Sequence, residues 1–165
     1  MTAALDVIAK ALREGAKLLG SSGCQKNLAK DLANSNVSVQ DVIKKFNTLS
    51  ARPDSVQSTH GYNVFYAEMS TDPQAQQFMQ TEKGKNAGAF IFGQDVMVRD
   101  NFFRARGGAK ITPDPSRALA LIHEAIHLAG LGDAYFGGSA KLNDIVIKAC
   151  WSPLYSHKDL AIVGE

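Results

Sequence analysis

The spacing of hydrophobic and polar residues predicts a helical first third of the chain. Between Leu5 and Leu19, apolar residues recur about every 3.6 positions until the glycine- and serine-rich run 20–23 interrupts the pattern. A second helix is expected from Cys24 to about Leu32. Ser38 is a candidate N-cap for a third helix, because Asp41 follows three residues later in a near capping box. Nothing in these helices points to chemistry, so we expect them to be scaffold.

The middle of the chain is expected to form a small sheet. The segment 62–69 is aromatic and β-branched enough for a strand, and a polar, glutamine-rich connection is expected to run from Asp72-Pro73 through Gln80. Two apolar segments, 89–92 and 95–98, flank a Gly93-Gln94 pair, which fits a hairpin with glycine at the first position of a type II′ turn.

The last third of the chain has the clearest helix signals. Asp114 and Pro115 suit an N-cap followed by proline at the first helical position. Gly130 suits the residue that ends the same helix, which is therefore expected over about 115–129. A further helix is expected near 140–150. The apolar stripe that would face the core on the first of these helices consists of Leu119, Ile122, Ile126 and Ala129.

His123 and His127 border this stripe and belong to the motif H-E-x-x-H. Residues four apart lie on the same face of a helix, so both imidazoles can point a ring nitrogen at one metal ion. Glu124 lies one step around the helix, where it can hold the water of the metal without binding the metal. A zinc ion lowers the pKa of its water, and the carboxylate can take the proton as the water attacks a carbonyl group. The motif therefore predicts a zinc site with its own general base.

A third metal ligand is expected shortly after the helix. Gly130 and Gly132 let the chain turn back sharply, and such a turn carries Asp133 towards the two histidines. An aspartate oxygen is an acceptable zinc ligand, and three protein ligands leave a fourth position for water.

These residues resemble a known family signature. His123, Glu124, His127, Gly130 and Asp133 match H-E-x-x-H-x-x-G-x-x-D, the form of the metzincin zinc motif with aspartate as the third ligand. The run 130–135 is similar to the snapalysin type of small bacterial zinc endopeptidase. The resemblance covers some thirteen residues strongly. It implies a zinc peptidase with Glu124 as the base and the two histidines and Asp133 as the ligands.

Two features of the resemblance leave alternatives open. In other zincins the third ligand comes from a separate downstream helix, where this chain has Asp144; we favour Asp133 because the Gly130 turn explains its position.

Metzincins also place a methionine turn beneath the metal, but no methionine follows Met97. The segment 151–155 is the candidate substitute, with Leu154 under the metal and Tyr155 as a donor to the oxyanion. Tyr155 is otherwise a partly buried surface residue.

Composition limits the possible classes. With 165 residues, 45% of them hydrophobic, the chain is long enough for one domain over 1–165, in which a helical part (1–50) precedes the sheet and active-site helix (60–165). The net charge is only +2 and the basic residues form no dense stripe along the sequence, so we expect no nucleic-acid partner. We expect no membrane partner either, because no run of eighteen apolar residues occurs. A secreted enzyme or an exported fragment is favoured over a cytoplasmic one. The oligomeric state is left open.

Two cysteines, Cys24 and Cys150, are far apart in sequence. In an exported enzyme they can form a disulfide, and otherwise they are buried free thiols.

Taken together, the sequence predicts an α+β, zincin-like fold with N-terminal helices, a small twisted mixed sheet, an active-site helix and a C-terminal helix. The expected function is that of a Zn²⁺-dependent metallopeptidase that hydrolyses peptide bonds in peptides or proteins. The alternative is a zinc-stabilised but catalytically silent binding or effector domain. Glu124 speaks against this alternative, because structural zinc needs no carboxylate base beside its ligands.

Overall fold

The computed structural model describes residues 2–52, 62–70, 72–93, 95–104 and 113–160. These residues form a mixed α+β structure that is mostly helical. The helices are α1 (Thr2–Gly20), α2 (Ser22–Leu32), α3 (Val39–Asn47), α4 (Pro73–Gln80), α5 (Glu82–Asn86), α6 (Asp100–Phe103), α7 (Pro113–Leu128), α8 (Asp133–Phe136) and α9 (Ser139–Cys150). The strands are β1 (Leu49–Ala51), β2 (Tyr62–Tyr66), β3 (Ala89–Phe92) and β4 (Asp95–Val98). None of the described helices has the length and apolar character that crossing a membrane requires.

The four strands form one mixed sheet in the order β1-β2-β4-β3. Strands β1, β2 and β4 are parallel, whereas β3 runs antiparallel to β4 and lies at the edge. The predicted hairpin between β3 and β4 is confirmed, because Phe92 pairs with Asp95 across a two-residue loop. Gly93 has φ +63°, as the first position of a type II′ turn requires. Gln94 lies outside the described residues.

Both faces of the sheet are covered. Successive side chains of a strand point to opposite faces, and the buried residues divide accordingly. Val64, Val96 and Val98 belong to the main core, which the sheet shares with most of the helices. Phe65, Phe90 and Met97 point the other way and form a second apolar cluster, to which α4 contributes. The sheet therefore separates a large helical layer from a small one.

The helical first third is confirmed, but with a short strand at its end. Helix α1 ends at Gly20, and the Ser21 side chain caps α2 by accepting a hydrogen bond from the Cys24 amide. The capping box between Ser38 and Asp41 is formed in both directions. Strand β1 begins at Leu49, at the end of the part that we expected to be helical.

Two expectations for the middle of the chain were wrong. The strand expected over 62–69 ends at Tyr66, and residues 67–69 form a 3-10 turn. The polar connection after Asp72 is helix α4, in which Asp72 is the N-cap and Pro73 is the first residue. The same Asp-Pro pair can open a turn or a helix. A helix is favoured over a turn here because it buries both Ala75 and Met79, four residues apart, in the second cluster.

Helix α7 lies at the centre of the domain, in contact with α1, α3, α9 and strand β3. It begins at Pro113 rather than after Asp114. The Asp114 side chain therefore does not cap the helix but pairs with Lys10 and Arg117, at 2.8 and 2.9 Å. Residues 118–126 are all buried, so more of the helix surface is covered than the predicted stripe. This central position places His123 and Glu124 inside the protein.

The two cysteines form a disulfide between α2 and the C-terminal end of α9. The side-chain Nδ2 of Asn27 in α2 also donates a hydrogen bond to the carbonyl oxygen of Ala149 at 3.2 Å. Of the two alternatives for Cys24 and Cys150, the structure therefore has the disulfide. It attaches α9, which packs against α7, to the N-terminal helices.

Candidate metal centre

The two histidines of α7 face each other across one helical turn. Their Nε2 atoms lie 2.9 Å apart, and both rings are largely shielded from solvent. Asp133, the first residue of α8, directs its Oδ1 atom towards both rings, at 3.0 Å from Nε2 of His127 and 3.5 Å from Nε2 of His123. The three side chains, which we call the metal group, offer ligand atoms that all lie within 4.8 Å of one another.

The turn between α7 and α8 explains how Asp133 reaches the histidines. The amide of Gly130 donates to the carbonyl oxygen of His127, and that of Leu131 donates to Ile126. These two bonds form a Schellman motif, which ends a helix and reverses the chain. Gly130 has φ +120°, a conformation that side chains with a Cβ atom rarely adopt. Gly132 has an extended backbone and is the N-cap residue of α8. Asp133 therefore comes only three residues after Gly130.

Each histidine has an acceptor at its other ring nitrogen. Nδ1 of His123 lies 2.7 Å from Oδ1 of Asn143, a buried residue of α9. Nδ1 of His127 lies 2.7 Å from the carbonyl oxygen of Leu131. Since both oxygens only accept, both Nδ1 atoms carry the proton, and each neutral ring has its lone pair on Nε2.

The lone pairs of the metal group converge on one point. Two neutral imidazole nitrogens and a carboxylate oxygen are all acceptors, so they repel one another unless a cation lies between them. Oδ1 of Asp133 is buried and makes no hydrogen bond to a described residue, which leaves it available as a ligand. Two histidines and one aspartate are a donor set that suits Zn²⁺ and leaves a coordination position open. The three residues therefore form a group that can bind a metal ion.

Electrostatics within the group favour a charged Asp133. Its polar contact with the His123 ring lowers the pKa of the Asp133 carboxyl, although partial burial works in the opposite direction. Burial works to lower the pKa of His123, but the contact with Asp133, the charge of Glu124 and the hydrogen bond to Asn143 outweigh it, so that this pKa is raised. In the absence of a metal, these shifts favour a proton on the His123 ring beside the Asp133 carboxylate, so that two acceptors no longer face each other.

Glu124 lies beside the metal group but is not part of it. The residue is 6% exposed, and burial raises the pKa of its carboxyl, against the charges of His123 and His127. Glu124 lines the same cavity as all three members of the metal group. A buried carboxylate with a raised pKa is a better proton acceptor than one in water.

The cavity at the metal group has a volume of about 630 Å³, which is within the range of small-molecule and peptide-binding clefts. We call it the cleft. One wall is the edge strand β3, with Ala89, Phe90 and Ile91, and another comes from α4 and α5, with Phe78 and Lys83. Apolar walls and a few charged groups at one end are typical of a binding site.

Arg99, which follows β4, holds the α4–α5 wall in place. Its guanidinium donates to the carbonyl oxygens of Met79, at the end of α4, and Gly84, in α5, and it pairs with Glu68 at 3.0 Å. Gly84 is needed for this packing, because a Cβ atom there would collide with the carbonyl oxygen of Phe78. Lys83 consequently reaches the cleft, with Nζ 4.0 Å from Oδ2 of Asp133.

The other candidate residues lie elsewhere. Oδ1 of Asp144 accepts hydrogen bonds from the backbone amide and Nδ1 of His157, both at 2.9 Å. Burial raises the pKa of Asp144, but these hydrogen bonds outweigh it and the pKa is lowered. Leu154 is 86% exposed and so is not packed beneath the histidines. Tyr155 is half-buried against the main core and is not among the described residues that line the cleft.

Sequence reasoning missed Asn143, Lys83 and Arg99. Asn143 had a detectable signal, because it interrupts a buried stripe that continues with Val146, Ile147 and Cys150. Lys83 and Arg99 had none, since both depend on how α4 and α5 pack.

Comparisons with protein-family models, with curated proteins and with solved structures find no match for this chain. What it does must therefore be inferred from its own residues.

Proposed function

We propose that this chain is a zinc-dependent metallopeptidase of the zincin type that cleaves peptide bonds within peptides or proteins. The observation that carries the proposal is the convergence of His123, His127 and Asp133 on one point, with Glu124 beside them in the same cleft. A structural zinc site would have four protein ligands, and it would need neither a neighbouring buried carboxylate nor an open cavity.

The metal group would hold Zn²⁺ through Nε2 of each histidine and through Oδ1 of Asp133. When bound, the ion supplies a Lewis acid that polarises a substrate carbonyl and makes water a better nucleophile at neutral pH. The hydrogen bonds at both Nδ1 atoms keep the rings in the tautomer that this role requires.

Glu124 would move the proton. Its buried carboxylate accepts a proton from the attacking water and passes it to the amine that leaves. Burial favours this role, because the raised pKa of Glu124 brings its basicity closer to neutral pH.

The cleft would take an extended peptide. Strand β3 is an edge of the described sheet and lines the cleft, so its free side can pair with a substrate backbone. Such pairing holds the peptide through main-chain hydrogen bonds, which require no particular sequence. The apolar side chains of Phe78, Phe90 and Ile91 would then receive substrate side chains.

Metal content and proteolysis, measured on the same preparations, test the proposal. Wild type, a His123→Ala/His127→Ala double variant and a His157→Ala control would be loaded with zinc, dialysed, and assayed on labelled casein. We expect about one zinc per chain and chelator-sensitive cleavage for wild type and the control, and neither for the double variant. Full zinc content in the double variant would rule out this metal site. Zinc binding by wild type without any hydrolysis would favour the catalytically silent zinc domain.

A further inference from the structure

Asn143 is an unusual residue for its position. It is 1% exposed, and its neighbours along the buried face of α9 are Leu142, Val146 and Ile147, all apolar. The Asn143 Oδ1 atom contacts Nδ1 of His123 at 2.7 Å, but Nδ2 has no hydrogen-bond partner among the described residues. A buried amide whose NH2 group has no partner among the described residues costs folding free energy, so packing alone does not account for Asn143.

We propose that Asn143 is a positioning residue that holds His123 in the tautomer and ring orientation needed to bind the metal. The inference rests on the proposed function, because it assigns a role at the same metal group. Oδ1 of an amide only accepts hydrogen bonds, so Asn143 requires the proton of a neutral His123 to be on Nδ1. The lone pair is then on Nε2, the atom that faces His127 and Asp133.

The two histidines differ in what they depend on. His127 is oriented by the carbonyl oxygen of Leu131, a backbone group that no substitution removes directly. His123 depends on one side chain that comes from another helix, twenty residues away in sequence. The metal site therefore depends on how α9 packs against α7.

A neutral amide fits this position better than a carboxylate on electrostatic grounds. Asp133 and Glu124 already bring two acidic groups to the buried end of the cleft. A third carboxylate on His123 would add another charge that has to be desolvated. Asn143 contacts the ring without adding that charge.

Three variants separate positioning from packing. Asn143→Leu keeps the approximate volume and removes the acceptor, whereas Asn143→Asp restores an acceptor at the same place. Val146→Ala is the matched control, because Val146 is equally buried on the same helix and is not among the described residues that line the cleft. The zinc dissociation constant would be measured by competition with a chromogenic chelator, and the melting temperature of each metal-free protein would be recorded.

We expect Asn143→Leu to weaken zinc binding about 10- to 100-fold, as loss of a partner behind a histidine ligand does in other metal sites. Asn143→Asp should bring the dissociation constant back to within a few-fold of wild type. Val146→Ala should lower the melting temperature with its zinc affinity unchanged.

Two results would overturn the inference while leaving the proposed function intact. One is Asn143→Leu binding zinc within threefold of wild type. The other is Asn143→Asp binding zinc about 10- to 100-fold more weakly than wild type, a comparison that still decides the matter if the leucine variant fails to fold. Wild type that binds no zinc would instead contradict the proposed function itself, and this inference with it.

Discussion

Nδ1 of His127 donates a hydrogen bond to the carbonyl oxygen of Leu131 at 2.7 Å, so the turn that ends α7 also orients a metal-group histidine. The amide of the same Leu131 closes the Schellman motif by donating to Ile126. One residue thus connects the helix end to the ring of His127, two positions before Asp133. A single local turn therefore sets the positions of two members of the metal group, His127 and Asp133.

The first prediction concerns the glycine of this turn. Gly130→Ala should lower the free energy of unfolding by about 1–3 kcal/mol, because φ +120° is strained for a residue with a Cβ atom. Relief of that strain should shift the Leu131 carbonyl and weaken zinc binding. Chemical denaturation and zinc titration of the variant measure both effects.

Gly132→Ala is the matched control for this experiment. Gly132 lies two residues away with φ −85°, and a Cβ atom there meets nothing within 4 Å. We expect its free energy of unfolding to change by less than about 0.5 kcal/mol. If both variants behave alike, the conformation of Gly130 is not what fixes the turn.

The second prediction concerns the proposed base. Glu124→Gln should bind zinc like wild type but lose at least about 100-fold in peptide hydrolysis, because the amide cannot accept the proton of the attacking water. The fold should be retained, since glutamine fills the same buried space without a charge to desolvate. Rapid hydrolysis by this variant would assign the base to another residue, and loss of zinc would make Glu124 structural.

Much of the fold follows from local signals. The end of α1 at Gly20, the capping box of Ser38 and Asp41, and the hairpin at Gly93 each depend on residues within a few positions of one another. Helix α4 was missed because its local signal, Asp72-Pro73, is ambiguous between a turn and a helix. The choice is made by burial of Ala75 and Met79 against the sheet, which a single sequence does not reveal.

The candidate site likewise combines residues that are close in sequence with residues that only tertiary packing brings together. His123, Glu124, His127 and Asp133 lie within eleven residues, so helix periodicity and one turn are enough to predict that they meet. Asn143, by contrast, reaches His123 only because α9 packs against α7. Lys83 approaches Asp133 from a helix some fifty residues earlier. Contacts of this kind depend on tertiary packing, and nothing in their spacing indicates them.

The third prediction concerns the disulfide. Replacing Cys24 and Cys150 by alanine should lower the free energy of unfolding by about 2–5 kcal/mol, because the bond closes a loop with a sequence separation of 126 residues. Urea denaturation with and without reductant measures the effect. Reductant should destabilise wild type and leave the double variant unchanged. Equal midpoints for oxidised and reduced wild type would contradict the prediction.

The fourth prediction decides between the two candidate third ligands. Asp133→Ala should weaken zinc binding by more than about 100-fold, because a direct ligand matters more than the partner of one. Asp144→Ala should leave zinc affinity nearly intact, although it removes two hydrogen bonds to His157 and so lowers stability. The pair is matched in chemistry, since each variant deletes one carboxylate that contacts a histidine. Zinc competition titrations at fixed pH compare them. Loss of binding in Asp144→Ala, with wild-type affinity in Asp133→Ala, would instead support a zincin site whose third ligand comes from the following helix.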